Sequence, residues 1–301
     1  YNQFKSNKKM KVFKESELIL NPNGSIYHLD LRPENISNNI ILVGDPDRVA
    51  KVSKHFDSIE FKNQKREFVS HTGYIGTTRM TVLSTGIGTD NIDIVINELD
   101  ALVNIDLNTK TEKEIKTSLN FIRIGTSGTL RPEIPCDTVL YSEYGLSLDG
   151  LMNFYKLENN SFEKKFLKAV NEKIPNLQIS PRISKSSDKL MRLFEKEGVI
   201  KGITASCTGF YGPQDRILRA QPIIRNFVEK LAEVIVDGHQ ITNLEMETSA
   251  IYGLSNILGH HCLSINTIIA NRRTKKFSSN PKKAVENTII HTLELLSNSL
   301  E

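Results

Sequence analysis

The stretch Ile40-Ile41-Leu42-Val43-Gly44-Asp45-Pro46-Asp47-Arg48-Val49 runs from a β-branched apolar run, through a glycine turn, into a segment with helical spacing. The apolar run has the length and bounding residues of a buried strand. Val49, Val52 and Phe56 then give one apolar helix face. A strand feeding a helix through a tight turn is the unit of an α/β fold. Its turn also places backbone N–H groups at a helix start, where an anion is welcome, and Arg48 adds a forked cation. Taken alone, the same residues fit a plain Asp-Pro turn capping a helix.

The pattern repeats along the 301 residues. Apolar runs Met80–Leu83, Phe121–Ile124, Thr138–Tyr141, Gly202–Ala205 and Leu263–Ala270 read as strands. Helical spacing links Ile92, Val95, Ile96, Leu99, Leu102 and Val103, then Phe162, Phe166, Ala169 and Val170. It returns in Ile224, Phe227, Val228, Leu231, Val234 and Ile235, and in a last helix over Pro281–Ser297. The expected fold is α/β, with a mixed, largely parallel sheet flanked by helices. Residues 1–25 read as a polar N-terminal tail and residues 26–301 as a single domain. The charged stretch Asn104–Asn120 reads as a solvated surface excursion.

Composition narrows the function classes. Hydrophobic residues make up 39% and charged residues 25% of the chain, which is ordinary globular usage and excludes wholesale disorder. A net charge of +4 is too small for a nucleic-acid stripe, yet compatible with anionic small substrates. Cys136, Cys207 and Cys262 lie far apart, which argues against a disulfide framework or a zinc knuckle. His260-His261-Cys262 are consecutive and cannot converge on one ion, so no metal site is expected. No apolar run approaches the ~18 residues that a membrane span requires. The Lys-rich N-terminus lacks the apolar centre of a secretory signal. A cytoplasmic location, with no membrane partner, is the expectation.

Further candidate sites lie at strand ends. Arg123-Ile124-Gly125-Thr126-Ser127-Gly128-Thr129 follows an apolar strand, where ligands collect in open α/β sheets. A glycine turn needing positive φ explains that segment equally well. Asn243-Leu244-Glu245-Met246-Glu247-Thr248 places two acids on the same side of an extended chain, as a carboxylate clamp for vicinal hydroxyls would. Acids favoured by a helix start fit equally. Phe210-Tyr211-Gly212-Pro213-Gln214-Asp215-Arg216 combines an aromatic face, an amide with donor and acceptor, and an arginine fork, suited to a carbonyl-bearing heterocycle. Asn271-Arg272-Arg273-Thr274 offers a further basic segment.

In this order and at these separations, the segments resemble the nucleoside phosphorylase family on its uridine phosphorylase side. The resemblance runs from about Tyr27 to the C-terminus. It rests on Tyr27-His28-Leu29, Gly44–Arg48, Arg66-Glu67-Phe68, Ser84–Gly88, Arg123–Gly128, Phe210–Arg216, Glu245–Glu247 and Asn271-Arg272. It implies a distorted-barrel sheet, and self-association into a dimer or hexamer. It implies phosphorolysis of a pyrimidine nucleoside, uridine first, by a pentosyltransferase with no cofactor, inorganic phosphate being the co-substrate. The catalytic residues implied are Arg48, Arg123 and Arg272. Phosphate would be held by Gly44, Arg48, Arg123 and Thr126, with Arg66 from a neighbouring subunit. Met246 and Glu247 would hold ribose, with His28 from the same neighbour. Phe210, Gln214, Arg216, Glu245 and Ile269 would hold the base.

Purine-handling relatives carry an acid in the loop after the last strand, and Asn271-Arg272-Arg273 has none. The chain departs from the family pattern at Thr89-Asp90-Asn91, at Pro213 and at Arg273. The alternatives are a nucleosidase, a purine nucleoside phosphorylase, or a nucleoside-binding homologue without turnover. Replacing Arg123 with alanine is expected to remove phosphate-dependent turnover and spare the fold.

Overall fold

A computed structural model describes residues 12–194 and 198–299. Strand β1 (Asn39–Val43) leads through Gly44 into helix α1 (Pro46–Ser53), as the opening motif requires. An antiparallel meander follows, β2 (Ser58–Lys65), β3 (Phe68–Ile75) and β4 (Thr78–Ser84), and then α2 (Thr89–Asn104). The charged excursion holds a small hairpin, β5 (Ile105–Asp106) with β6 (Thr111–Glu112). The long strands β7 (Asn120–Thr129) and β8 (Val139–Leu148) come next. Then come α3 (Ser161–Lys173), β9 (Arg182–Lys185), α4 (Asp188–Phe194) and β10 (Ile200–Cys207). The chain continues through α5 (Phe227–Ala232), β11 (Ile235–Val236), β12 (His239–Glu245) and α6 (Thr248–Leu258). It finishes with β13 (His261–Asn271), β14 (Lys276–Phe277) and α7 (Pro281–Ser299).

The main sheet is mixed, with neighbours in the order β11-β12-β10-β8-β13-β7-β1-β4-β3-β2. Strand β12 also pairs antiparallel with β7, setting Asn243 against Thr129 and Leu244 against Gly128. That contact closes β12, β10, β8, β13 and β7 into a ring, the distorted barrel that the resemblance implied. It also brings Arg123, within β7, and Glu245, the last residue of β12, to one place.

Alternate residues of β1 serve two cores. Ile40 and Leu42 join a cluster with Leu29, Ile92, Ile96 and Ile251, beneath α2 and α6. Ile41 and Val43 pack with Val49, Val52, Ile289 and Leu293, beneath α1 and α7. A strand buried on both faces reads as a continuous apolar run, which is why the sequence shows no polar alternation there.

Three segments differ from the sequence reading. Thr126–Thr129, expected beyond a strand end, continues β7, and neither Gly125 nor Gly128 has a positive φ. The helix expected across Ile224–Ile235 is confined to α5, and Ile235–Val236 turn back onto β12. Asp237 and Gly238 both have positive φ, 50° and 80°, so they form a tight hairpin turn that takes the apolar residues into sheet pairing. Of the polar tail, residues 1–11 lie outside the described residues. The rest packs on the body, with Leu18 buried and Val12 bridged to Thr111, because its few apolar side chains cover the α2 core.

The placement of α6 matters most for the site. Gly145 lets its first turn approach closely, since a Cβ there would lie 2.9 Å from Ser249 Cα. Tyr252 then locks the helix to the sheet. Its hydroxyl donates to the Ser142 carbonyl at 2.6 Å and accepts the Ser264 N–H at 2.7 Å. Tyr252→Phe would leave both buried backbone groups without that partner. We expect a loss of about 1–3 kcal/mol in equilibrium urea unfolding, with an unchanged denaturant slope.

Candidate active site

Arg123 sits in β7 with its guanidinium inside the ring. A Cβ on Gly125 would fall 1.7 Å from its Nη1, so the glycine of that motif is required to make room for the side chain. Nη2 donates to Glu247 Oε2 at 2.5 Å and lies 3.1 Å from Glu245 Oε2, while Nη1 donates to Asn266 Oδ1 at 3.2 Å. Burial by itself lowers the Arg123 pKa, but Glu245 and Glu247 together outweigh it and hold the group above its ordinary value.

The two acids flank the start of α6. Glu245 accepts the Glu247 N–H at 2.9 Å, the Thr248 N–H at 3.0 Å and the Ser206 hydroxyl at 2.5 Å. It thereby satisfies amides that open the helix. Burial raises its pKa despite Arg123. Glu247 is gripped from the other side by the Gly88 N–H at 2.8 Å, where the turn after β4 enters α2.

Arg48 reaches over from α1, donating to the Ile124 carbonyl at 3.3 Å. Its pKa is lowered by burial and then by Arg123, with Asp45 and Glu247 opposing. Two guanidiniums that repel one another in a partly dry site favour an anion between them.

These groups line a pocket of about 720 Å³, together with Gly44, Thr126, Phe210, Gln214, Arg216, Glu245, Met246 and Ile269. That volume suits a small organic ligand (roughly 300–1,000 Å³). A surface groove of about 750 Å³ beside α3 is lined by Lys164, Lys168 and Glu172 and holds none of the strand-end motifs.

One wall of the pocket is the loop after β10. The Arg216 guanidinium lies 3.7 Å from the centre of the Phe210 ring, and Nη1 donates to the Phe210 carbonyl and to Gln214 Oε1, both at 2.8 Å. Burial, reinforced by Arg272, lowers its pKa to about 10. Gln214 is buried, and with its oxygen held by Arg216 its amide N–H groups remain to donate. Pro213 packs against Gly209, where a Cβ would meet its ring at 3.0 Å.

Three of the expected site residues do not line this pocket. Arg272 stands behind Gln214, donating from Nη2 to the Gln214 carbonyl at 2.9 Å, so it supports the loop from outside. Arg66 occupies the turn between β2 and β3 with φ +55°, and its neighbour Glu67 lines the pocket instead. His28 lies against α2, bonded to Glu98.

Sequence reading missed Asn266, Glu67 and Asn91. Asn266 had a signal, being an amide inside the apolar run Leu263–Ala270. His260 serves as a structural joint. Its Nδ1 accepts the Leu119 N–H at 3.1 Å and its Nε2 lies 3.1 Å from Asp100.

The family model of the phosphorylase superfamily matches residues 39–297. A uridine phosphorylase from Thermococcus kodakarensis is 27% identical over 263 residues, covering 86% of this chain and 82% of that protein. One from Haemophilus influenzae is 26% identical over 284 residues, covering 90% of this chain and 99% of that protein. The crystal structure of a Trypanosoma brucei nucleoside phosphorylase, described as showing uridine phosphorylase activity, superposes with a TM-score of 0.86. It is 27% identical and covers 93% of this chain and 99% of that one. The chain belongs to the phosphorylase superfamily. Within it the chain is a nucleoside phosphorylase-type enzyme, a pentosyltransferase of the uridine phosphorylase-like branch.

Arg123 neutralises two buried carboxylates, so its loss should cost stability as well as turnover. Arg123→Met should cost about 3–5 kcal/mol of stability near neutral pH. Without the cation, the folded state takes up a proton that an unfolded carboxylate, titrating near ~4.3, does not. The raised folded pKa then favours the folded state increasingly as pH falls. The deficit against the native protein should narrow between about pH 8 and pH 5 in urea unfolding.

Proposed function

We propose that this enzyme cleaves the N-glycosidic bond of a pyrimidine nucleoside, uridine foremost, using inorganic phosphate and releasing free base and ribose 1-phosphate. The observation that carries this reading is the pairing of Arg48 with Arg123 beside Glu247 in one pocket. An arginine pair suits an oxyanion co-substrate, whereas a hydrolase would need a carboxylate free to activate water. Glu245 and Glu247 are both engaged by Arg123 and by backbone N–H groups.

In this reading Gly44, Arg48, Arg123 and Thr126 hold phosphate below the sugar, with Arg66 supplied by a neighbouring subunit. Met246 and Glu247 hold the ribose, Glu247 accepting from its hydroxyls while Arg123 fixes the carboxylate in place. His28 reaches the same ribose from that neighbour. A phosphate oxygen forms the new bond to C1′ as the C1′–N bond breaks. The bonding pair departs with the base, which then takes a proton from solvent. Position and charge complementarity supply the acceleration.

The base would lie against Phe210 and Ile269. As negative charge develops on its carbonyls, the Gln214 amide and the Arg216 fork are placed to donate. Arg272 acts through the backbone of Gln214, and Glu245 through the start of α6. Purine protonation has no candidate in the loop after β13. Asn271 is engaged with the Arg131 and Ile134 carbonyls, and Arg272 and Arg273 are cations.

Base release from uridine, thymidine and inosine, followed with and without phosphate, tests the reading. We expect phosphate-dependent release, fastest with uridine. Release without phosphate would make the protein a nucleosidase, and inosine preference would make it a purine enzyme. Arg48→Ala should raise the KM for phosphate by about tenfold or more, as loss of a charge-assisted contact of about 1.5–3 kcal/mol implies. An unchanged phosphate KM would remove Arg48 from the site.

A further inference from the structure

We propose that Glu98 is a positioning residue that fixes the His28 imidazole with its hydrogen on Nδ1 and leaves the Nε2 lone pair to accept from a ribose hydroxyl. The inference rests on the reading above, in which His28 meets the ribose in a neighbouring subunit.

Glu98 lies in α2 and its carboxylate is turned onto the segment Tyr27-His28-Leu29. Oε1 is 2.6 Å from His28 Nδ1 and accepts the His28 N–H at 3.0 Å, while Oε2 accepts the Leu29 N–H at 2.9 Å. Oε1 already accepts the His28 backbone N–H, so it is placed to accept from Nδ1 as well, and an imidazole with its hydrogen on Nδ1 presents Nε2 as an acceptor. Among the described residues Nε2 makes no hydrogen bond.

The ring is held on other sides too. The Tyr27 ring meets it edge-on at 4.7 Å, and Lys65 Nζ donates to the Tyr27 carbonyl at 2.6 Å. Leu29 anchors the segment in the α2 core. The segment therefore fixes backbone, ring plane and tautomer, and leaves the other ring nitrogen without a hydrogen-bond partner among the described residues. Orientation of a histidine through its other nitrogen is the usual way of setting its chemistry.

Glu98→Gln is the informative variant. Its oxygen can keep the Leu29 N–H, but its amide donates to Nδ1 and moves the ring hydrogen to Nε2. We expect ¹⁵N NMR of histidine-labelled protein to show His28 changing from the Nδ1–H to the Nε2–H form. The KM for nucleoside should rise about three- to tenfold with kcat little changed, the scale of one hydrogen bond. The penalty should vanish with whichever deoxy analogue (2′, 3′ or 5′) lacks the hydroxyl that Nε2 meets.

If His28→Ala raises the nucleoside KM while Glu98→Gln changes neither KM nor tautomer, the role of Glu98 is overturned and the ribose contact stands. If His28→Ala leaves KM unchanged with every nucleoside, the ribose contact fails and the proposal with it.

Discussion

One buried guanidinium organises the working end of this molecule. Arg123 joins β7 to the junction of β12 and α6 through Glu245 and Glu247, and to β13 through Asn266. A cation with so little exposed surface is tolerable only with opposite charge and hydrogen bonds around it, and carboxylates this deep need the cation equally. The barrel closes here because β12 returns to β7 beside it. The group that would hold phosphate also pairs with the carboxylate that would hold sugar.

The base wall follows a different logic. Arg216 lies over Phe210 and fixes one end of Gln214, while Arg272 takes hold of the Gln214 backbone from behind. Burial lowers the pKa of both arginines. Each would therefore gain from a neighbour that accumulates negative charge, as a departing base does. In the proposed reading, Arg48 and Arg123 would meet phosphate, while Arg216 would meet the base with Arg272 supporting it through the Gln214 backbone. Helix α2 connects Glu247 to the His28 segment, since Gly88 just before its first residue donates to Glu247 and its later turns carry Glu98.

Much of this was legible in order along the chain. The strand runs, the helix periodicities at Ile92–Val103 and Phe162–Val170, and the Gly44 turn persist as elements. The helix expected through Ile235 did not, because the Asp237-Gly238 turn outweighs apolar periodicity in a short segment. Asn266 stood out as an amide in an apolar run, but its role became legible only with its partner Arg123. Arg272 looked like a site cation in sequence and stands one layer behind the pocket.

The sequence by itself determined which residues would be strand, turn and helix start, because hydrophobic period and glycine placement act over a few neighbouring residues. Through its resemblance to a family it also named about half of the residues that line the pocket. Only the tertiary structure decided which charges meet. Arg123 and Glu247 are 124 positions apart, and their contact depends on the closure of β12 onto β7 and on α6 being pinned by Tyr252. Electrostatic partnership is a matter of ångströms in space and of the local dielectric, and a chain written in one dimension records neither.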